Sequence, residues 1–143
     1  MSGDRSRIFI VVLSLSIPII LLGGCHRTRS SDKEDVRHIL ALRERAMETK
    51  DITLYMSCIS EDYHDNANTY DVIRDKMEKN FDLFDKIDFS QSNQTIYRDN
   101  TAAVVVQDFE LSFTVRGSQD HASGKERIHL EKKAGKWKIV KGL

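Results

Sequence analysis

The run Leu130-Glu131-Lys132-Lys133-Ala134-Gly135-Lys136-Trp137-Lys138-Ile139-Val140 indicates how the chain folds back on itself. Its large apolar residues alternate with charged neighbours on both sides of Ala134-Gly135, and a period of two is typical of a strand with one buried face. A short pair of residues that ends in glycine is typical of a tight turn. The run therefore predicts two antiparallel strands, Lys125–Lys133 and Lys136–Leu143.

Upstream of this hairpin, two further strands are predicted from the same period. The longer is Ala102–Val115, and it is preceded by Ile87–Tyr97 and a turn at residues 98–101 that is rich in Asp and Asn. Residues 117–124 are polar and are predicted to form a long hairpin loop. One face of the earlier strand is expected to carry Ile87, Phe89, Gln91, Asn93, Thr95 and Tyr97.

Apolar residues recur with helical spacing in the first half of the domain. Ser31 and Glu34 form a capping box ahead of a helix that is predicted over residues 32–49. Asp51 is expected to cap a short second helix that extends to Ile59. Residues 61–68 are polar and are predicted to be irregular, and Asn68 or Thr69 caps a third helix over residues 70–84. Three helices followed by antiparallel strands make an α+β domain.

The first residues of the chain have a different character. Arg5 and Arg7 precede Ile8–Leu22, a run of uncharged residues that is shorter than a membrane-spanning helix needs. It ends in Leu22-Gly23-Gly24-Cys25, which resembles the lipobox of bacterial lipoproteins. The resemblance implies a signal peptide over residues 1–24, a lipid on Cys25, a tether over residues 25–31 and a domain over residues 32–143. The alternatives are an uncleaved anchor or an ordinary secretory signal.

The lipobox also predicts where the protein resides. It implies that the lipid on Cys25 holds the protein at a membrane of the bacterial cell envelope, with the domain in the periplasm. His26 follows the cysteine, and in enteric-type bacteria a residue other than Asp at this position implies export to the outer membrane. Acyl chains anchor a protein permanently only when two or more are present.

Composition excludes one class of partner and one kind of cross-link. The chain has 22 basic and 22 acidic residues, so its net charge is zero, and the charges are dispersed along the sequence. Binding to nucleic acid is not favoured, because it needs a concentrated basic face. With Cys25 lipidated, Cys58 has no partner for a disulfide within the chain. Cys58 lies in an apolar stretch, which favours a buried and inert thiol.

A long capped helix is followed by a short helix, a third helix and hairpin-linked strands, and the last strand begins in the run Gly135-Lys136-Trp137-Lys138-Ile139-Val140. This order of the elements resembles that of the NTF2-like superfamily. Within it, the SnoaL-like and DUF4440-type members are the most similar. The resemblance covers about residues 32–143 and implies a cystatin-like cone, in which three N-terminal helices pack on a curved antiparallel sheet around a pocket. The superfamily includes isomerases, dehydratases, cyclases and proteins with no known chemistry, so the fold does not imply a function.

An acid–base pair in the cone would make the protein an isomerase or dehydratase. Tyr63 and Asp65 are the candidates, because an Asp base and a Tyr donor in an apolar cavity are what a steroid-isomerase-like pocket uses. Asp108 and a His64–Asp65 pair are weaker candidates. Residues 65–68 are typical of a solvated loop, so the sequence favours no catalytic residue and leaves the question of an enzyme open.

Gln107 interrupts an otherwise apolar strand face, and a buried amide needs hydrogen-bond partners. Gln91 and Asn93 share its phase on the preceding strand. These residues, with Tyr63, are candidates for a small-ligand site inside the cone. The favoured alternative is that they lie at a wet mouth or satisfy backbone groups.

The sequence contains no motif that predicts a metal site or a cofactor site. The five histidines form no HxH or HExxH motif, and there is no glycine-rich phosphate loop. Val104 and Val106 extend apolar character onto the second sheet face, where many relatives dimerise, which points to a homodimer.

Taken together, these observations predict a membrane-anchored periplasmic lipoprotein that binds a small apolar ligand or a protein partner without catalysis. The alternatives are an isomerase or dehydratase with its acid–base pair in the cone, or an envelope assembly factor that acts through its sheet face.

Replacing the lipidated residue tests the anchor. In Cys25→Ser we expect an unprocessed precursor in the membrane fraction, because without the thiol no lipid is attached and the bond before residue 25 is not cut. Electrophoretic mobility and palmitate labelling measure this, and Cys58→Ala serves as the control that is still processed. Acylated protein of mature size from the Cys25→Ser gene would contradict the assignment.

Overall fold

The computed structural model describes residues 29–143, so the signal peptide, Cys25 and most of the tether lie outside the described residues. The helices are α1 (Arg29–Glu48), α2 (Ile52–Ser57) and α3 (Tyr70–Leu83). The strands are β1 (His64–Asp65), β2 (Asn68–Thr69), β3 (Lys86–Arg98), β4 (Ala102–Val115), β5 (Ser118–Lys133) and β6 (Lys136–Lys141). Within residues 29–143, no helix has the length and apolar character needed to cross a membrane.

Helix α1 begins earlier than the sequence predicts. Ser31 lies inside the helix, so the capping box does not mark its start. Asp32 instead joins the first turn of α1 to the sheet, since its carboxylate lies 3.3 Å from the Arg98 guanidinium and 2.8 Å from the Lys132 ammonium. The predicted apolar stripe of α1 is confirmed, with Val36 and Leu40 fully buried.

The caps of the two shorter helices are confirmed. The Asp51 carboxylate accepts a hydrogen bond from the Leu54 amide at 2.8 Å, and the Thr69 hydroxyl accepts one from the Val72 amide at 3.4 Å. Helix α2 ends at Ser57 rather than at Ile59. The backbone leaves the helix there because Cys58 accepts a hydrogen bond from the Ile139 amide on β6 at 2.9 Å.

The main sheet has four antiparallel strands in the order β3-β4-β5-β6; α1 packs on its inner face, and α2 packs between α1 and α3. The α+β fold predicted from the sequence is therefore confirmed. Strands β1 and β2 form a separate hairpin where the sequence predicts an irregular segment. Asn66 makes this hairpin possible with a positive φ of 53°, a conformation that Asn tolerates better than most residues.

A β-bulge in β3 overturns the predicted strand face. The register with β4 shifts between Ser92 and Thr95, and Asn93 has a φ of 53°. The shift moves every later residue to the opposite face. Ile96 is therefore buried, whereas Tyr97, which was expected inside, has 61% of its surface exposed.

Strand β5 is longer than predicted, because residues 118–124 are not a loop. They pair residue by residue with β4, from Ser118 opposite Val115 to Gly124 opposite Phe109. The turn consists only of Arg116 and Gly117, with φ of 50° and 80°, as a two-residue hairpin of type I′ requires. Backbone pairing therefore outweighs the low strand propensity of these polar side chains.

Gly142 lies just after β6 in a conformation that other residues avoid. Its φ is +100°, and a Cβ atom at this position would overlap the carbonyl oxygen of Arg127 on β5. Its amide also donates to the Asp65 carboxylate at 3.1 Å. The close approach of β5 therefore requires glycine here.

We expect Gly142→Ala to lower the free energy of unfolding by about 3 kcal/mol, because it adds a steric overlap to an unfavourable φ. Gly117→Ala is the matched control: its φ is +80°, but nothing lies within 4 Å of the added carbon. The control should lose only about 1 kcal/mol. Urea unfolding measures both, and equal losses would contradict the overlap at residue 142.

Candidate functional site

A buried ion pair lies between α1 and the sheet. The two terminal nitrogens of Arg43 donate to the two carboxylate oxygens of Glu126 on β5, at 2.9 and 3.2 Å. Only 7% of the Arg43 side chain and 13% of the Glu126 side chain are exposed. Such a bidentate pair fixes the orientation of both groups.

Gln107 and Gln91 complete this interior network. The Gln107 amide nitrogen donates to the Glu126 carboxylate at 2.7 Å and to the Gln91 side-chain oxygen at 2.5 Å. The Gln91 amide nitrogen in turn donates to the Leu40 carbonyl at 3.0 Å and to the Glu44 carboxylate at 2.9 Å. Two of the four predicted ligand-binding residues are therefore brought together, and their binding of a ligand stays a prediction.

The environment keeps Arg43 charged. Burial lowers the pKa of Arg43, but the neighbouring Tyr55 and Glu126 outweigh that effect and raise it above its ordinary value. The guanidinium also lies 5.0 Å from the centre of the Phe89 ring, a cation–π contact. Among the described residues, Arg43 Nε and Gln107 Oε1 are buried atoms without a hydrogen-bond partner, so the network keeps one unused donor and one unused acceptor.

Tyr63 and Asp65, the predicted acid–base candidates, hold the backbone after β6. The Tyr63 hydroxyl donates to the Leu143 carbonyl at 3.1 Å and accepts from the Leu143 amide at 2.8 Å. Burial raises the pKa of Tyr63. The Asp65 carboxylate accepts from the Gly142 amide and lies 3.7 Å from the Lys141 ammonium. Both side chains therefore have structural partners.

Asn93 does not join Gln91 and Gln107, because the bulge in β3 leaves it exposed. Its amide donates to the Asp108 carboxylate at 2.8 Å, and Lys125 lies 3.4 Å from the same carboxylate. The bond from Asn93, with that from Lys125, lowers the pKa of Asp108. Asp108 thus lies at the surface with a lowered pKa, which makes it a weak base.

Cys58 is fully buried, as expected, and burial raises the pKa of its thiol, so little reactive thiolate forms. Within residues 29–143, no group of three or more His, Cys, Asp or Glu side chains is arranged to hold a metal ion.

A groove of about 690 Å³, which the sequence does not predict, lies between α2, α3 and the β5–β6 hairpin. We call it the α2–α3 groove. No motif marks it, because three separate parts of the chain contribute to it. The groove combines apolar side chains with both basic and acidic ones: Ile52, Met56, Ile59, Tyr70, Arg74, Lys133, Lys138, Glu61, Asp62 and Glu78.

The charged residues of the groove are held by local contacts. The Arg74 guanidinium lies 4.9 Å from the centre of the Tyr70 ring and donates to its hydroxyl at 3.2 Å, a bond that raises the pKa of Arg74. Lys133 lies 2.8 Å from Glu131 and 3.5 Å from Asp62. These contacts orient the charges while leaving 43% of the Arg74 side chain and 79% of the Asp62 side chain exposed.

A second cavity, of about 420 Å³, lies on the outer face of the sheet. Val104, His129 and Val140 contribute to it from three neighbouring strands. Tyr97 lies beside Val104 in the register of β3 and β4 and is largely exposed. The outer face therefore carries apolar groups that the described part of the chain leaves partly uncovered.

Comparison with known proteins identifies the family. A family model described as a SnoaL-like domain matches residues 36–142, which is more than half of the chain. The chain therefore belongs to the SnoaL-like domain family. No curated protein matches it.

Solved structures show the same NTF2-like fold. An NTF2-like superfamily protein from Salmonella enterica has a TM-score of 0.69 at 19% identity, covering 79% of this chain and 89% of that one. A candidate scytalone dehydratase from Novosphingobium aromaticivorans has a TM-score of 0.70 at 16% identity, covering 78% and 80%. A candidate aromatic ring hydroxylase from the same organism has a TM-score of 0.73 at 12% identity, covering 81% and 89%. At these identities the likeness shows the fold alone.

A double-mutant cycle tests the interior ion pair. We expect Arg43→Met to lower the free energy of unfolding by about 3–5 kcal/mol, because it leaves the Glu126 carboxylate buried and unpaired. The double variant Arg43→Met/Glu126→Leu should recover most of that loss, since no buried charge remains. Urea unfolding of the wild type, both single variants and the double variant measures the coupling.

The exposed pair Lys86–Asp88, with an ammonium–carboxylate distance of 2.7 Å, is the matched control. Its cycle should give a coupling of at most about 1 kcal/mol. A coupling of the same size for the two pairs would show that burial adds nothing to the Arg43–Glu126 interaction.

Proposed function

We propose that this SnoaL-like domain protein is a lipid-anchored protein of the bacterial cell envelope that binds a small molecule in the α2–α3 groove and catalyses no reaction. The observation that carries the non-catalytic part of the proposal is the interior ion pair. An isomerase or dehydratase of this fold would need a free acid or base at the centre of the domain. Glu126 occupies that position and is already paired with Arg43.

The predicted catalytic residues support the same proposal. Tyr63 is 98% buried and exchanges two hydrogen bonds with the backbone of Leu143. Asp65 accepts a backbone hydrogen bond and faces Lys141. Both side chains are therefore engaged in holding the backbone that follows β6.

The α2–α3 groove has the properties of a ligand site. Its volume of about 690 Å³ lies in the range usual for small-molecule pockets, roughly 300–1,000 Å³. The half-buried side chains of Ile52 and Tyr70 supply apolar contact area beside the charged side chains. Such sites combine an apolar lining with a few placed polar groups that orient the ligand.

The anchor is proposed from Leu22-Gly23-Gly24-Cys25, and the fold limits its reach. Because α1 begins at Arg29, only residues 26–28 separate it from Cys25. Four residue steps span at most about 14 Å. A lipid on Cys25 would therefore hold the domain close to the bilayer, on the periplasmic side and, following the residue after the cysteine, at the outer membrane.

We also propose that two copies associate through the outer sheet face. Tyr97, Val104, Val106 and Val140 give this face exposed or half-buried apolar groups. A second copy would cover them and remove apolar area from water.

Native mass spectrometry of the full-length acylated protein, purified from its own host, tests these proposals together. We expect a dimer with one retained small molecule per chain, present in the wild type and in Gln107→Leu but lost in Thr53→Trp. Thr53 is an exposed residue of the groove, so a large side chain there fills the groove without entering the core.

Loss of the molecule in Gln107→Leu and retention in Thr53→Trp would place the ligand in the interior network and contradict the groove. Chemical conversion of the molecule on incubation with the wild type would contradict the non-catalytic proposal. A monomer would contradict the dimer, for which Val104→Glu is the variant that should separate the copies.

A further inference from the structure

The α2–α3 groove carries charges of both signs along its rim. Arg74 from α3 and Lys133 and Lys138 from the β5–β6 hairpin are the cations, and Glu61, Asp62 and Glu78 are the anions. A ligand with a single charge would meet as many repulsive as attractive groups at such a rim. A ligand that has both a positive and a negative group would find partners for each.

The positive groups suit a phosphate. The Arg74 guanidinium rests on the Tyr70 ring and is bonded to the Tyr70 hydroxyl, so its plane is fixed while much of its surface remains exposed. A fixed guanidinium binds phosphate oxygens with less loss of side-chain freedom than a lysine does. Lys133, which is 39% exposed, supplies a second cation from the opposite side of the groove.

The bottom of the groove suits a hydrocarbon chain. Ile52, Met56, Ile59 and the ring of Tyr70 contribute apolar atoms from α2, the following bridge and α3. Ile52 and Tyr70 are half-buried, so part of their apolar surface faces the groove, above the buried Met56 and Ile59. An apolar bottom below a doubly charged rim fits a molecule with one tail and one zwitterionic head.

The position of the groove suggests the source of such a molecule. Lys133 follows Lys132 in the chain, and the Lys132 ammonium contacts Asp32 in the first turn of α1 at 2.8 Å. Lys133 therefore lies at the end of the domain from which the short segment to Cys25 departs. On a lipid anchor, this end of the groove lies next to the headgroups of the bilayer.

We propose that the α2–α3 groove binds a zwitterionic lipid with a single acyl chain, taken from the membrane to which the domain is tethered. The inference rests on the proposed function and names the ligand class for the same groove. In the complex, Arg74 and Lys133 contact the phosphate, and the acidic residues Glu61 and Glu78 contact the ammonium group. The acyl chain covers Ile52 and the ring of Tyr70.

Binding of defined amphiphiles tests the ligand class. The full-length acylated protein in amphipol is titrated with lysophosphatidylethanolamine, with palmitate and with an alkyltrimethylammonium of equal chain length, and native mass spectrometry gives the dissociation constants. We expect the lysophospholipid to bind at least tenfold more tightly than either singly charged amphiphile. Equal affinities for all three would overturn the proposal, because binding would then depend on the tail alone.

Two arginine variants test the phosphate contact. Arg74→Gln should weaken lysophosphatidylethanolamine binding at least tenfold. Arg37→Gln is the matched control, since Arg37 is also a half-exposed helix arginine with an acidic residue three positions before it, but it lies outside the groove. Unchanged binding in Arg74→Gln, or equal weakening in both variants, would overturn the assignment.

Thr53→Trp separates this inference from the proposed function. If the protein retains a host molecule that Thr53→Trp displaces, yet shows no preference for the lysophospholipid, the groove is a ligand site and the lipid class is wrong. If neither a host molecule nor any amphiphile binds, both proposals fail.

Discussion

The ion pair between Arg43 and Glu126 is the constraint on which the interior of this domain depends. It lies where α1 crosses the sheet, and neither charge is tolerable there without the other. Gln107 donates hydrogen bonds to Glu126 and to Gln91. Four side chains, one each from α1, β3, β4 and β5, therefore hold one another in place. Together with the Asp32 contacts to Arg98 and Lys132, the pair fixes both the position and the rotation of α1 on the sheet.

Periodicity predicted the elements whose pattern is unbroken. Strand β4 has the predicted bounds, and α3 begins at the predicted residue, because each has one continuous apolar face. The prediction was wrong for β3, where a bulge reverses the face after Ser92, and no residue type announces a bulge. It was also wrong for residues 118–124, since their pairing with β4 depends on backbone hydrogen bonds that polar side chains neither require nor prevent.

The site was harder to predict than the fold, because it depends on contacts between distant residues. The sequence singled out Gln107 as a buried amide that needs partners and put Gln91 and Asn93 in its phase. Gln91 is hydrogen-bonded to Gln107, whereas Asn93 is bonded to Asp108 at the surface. The sequence could not supply Arg43 and Glu126, which are separated by 83 residues and resemble ordinary surface charges. The α2–α3 groove could not be predicted for the same reason. Tyr70 and Arg74 are one helical turn apart, but Lys133 comes from another part of the chain.

The long β4–β5 hairpin has a consequence for self-association. Strand β6 pairs with β5 only from His129 onward, so the main sheet leaves the first half of β5 without a neighbour on that side within residues 29–143. The unpaired amides and carbonyls of such an edge can form hydrogen bonds with a strand of another molecule, and fibrous aggregation begins in this way. This edge has no large apolar or β-branched side chain that would stabilise the pairing. Its sequence is Ser118-Gln119-Asp120-His121-Ala122-Ser123-Gly124-Lys125. The polarity that hides this strand from sequence-based prediction also protects the folded protein against polymerising along its own edge.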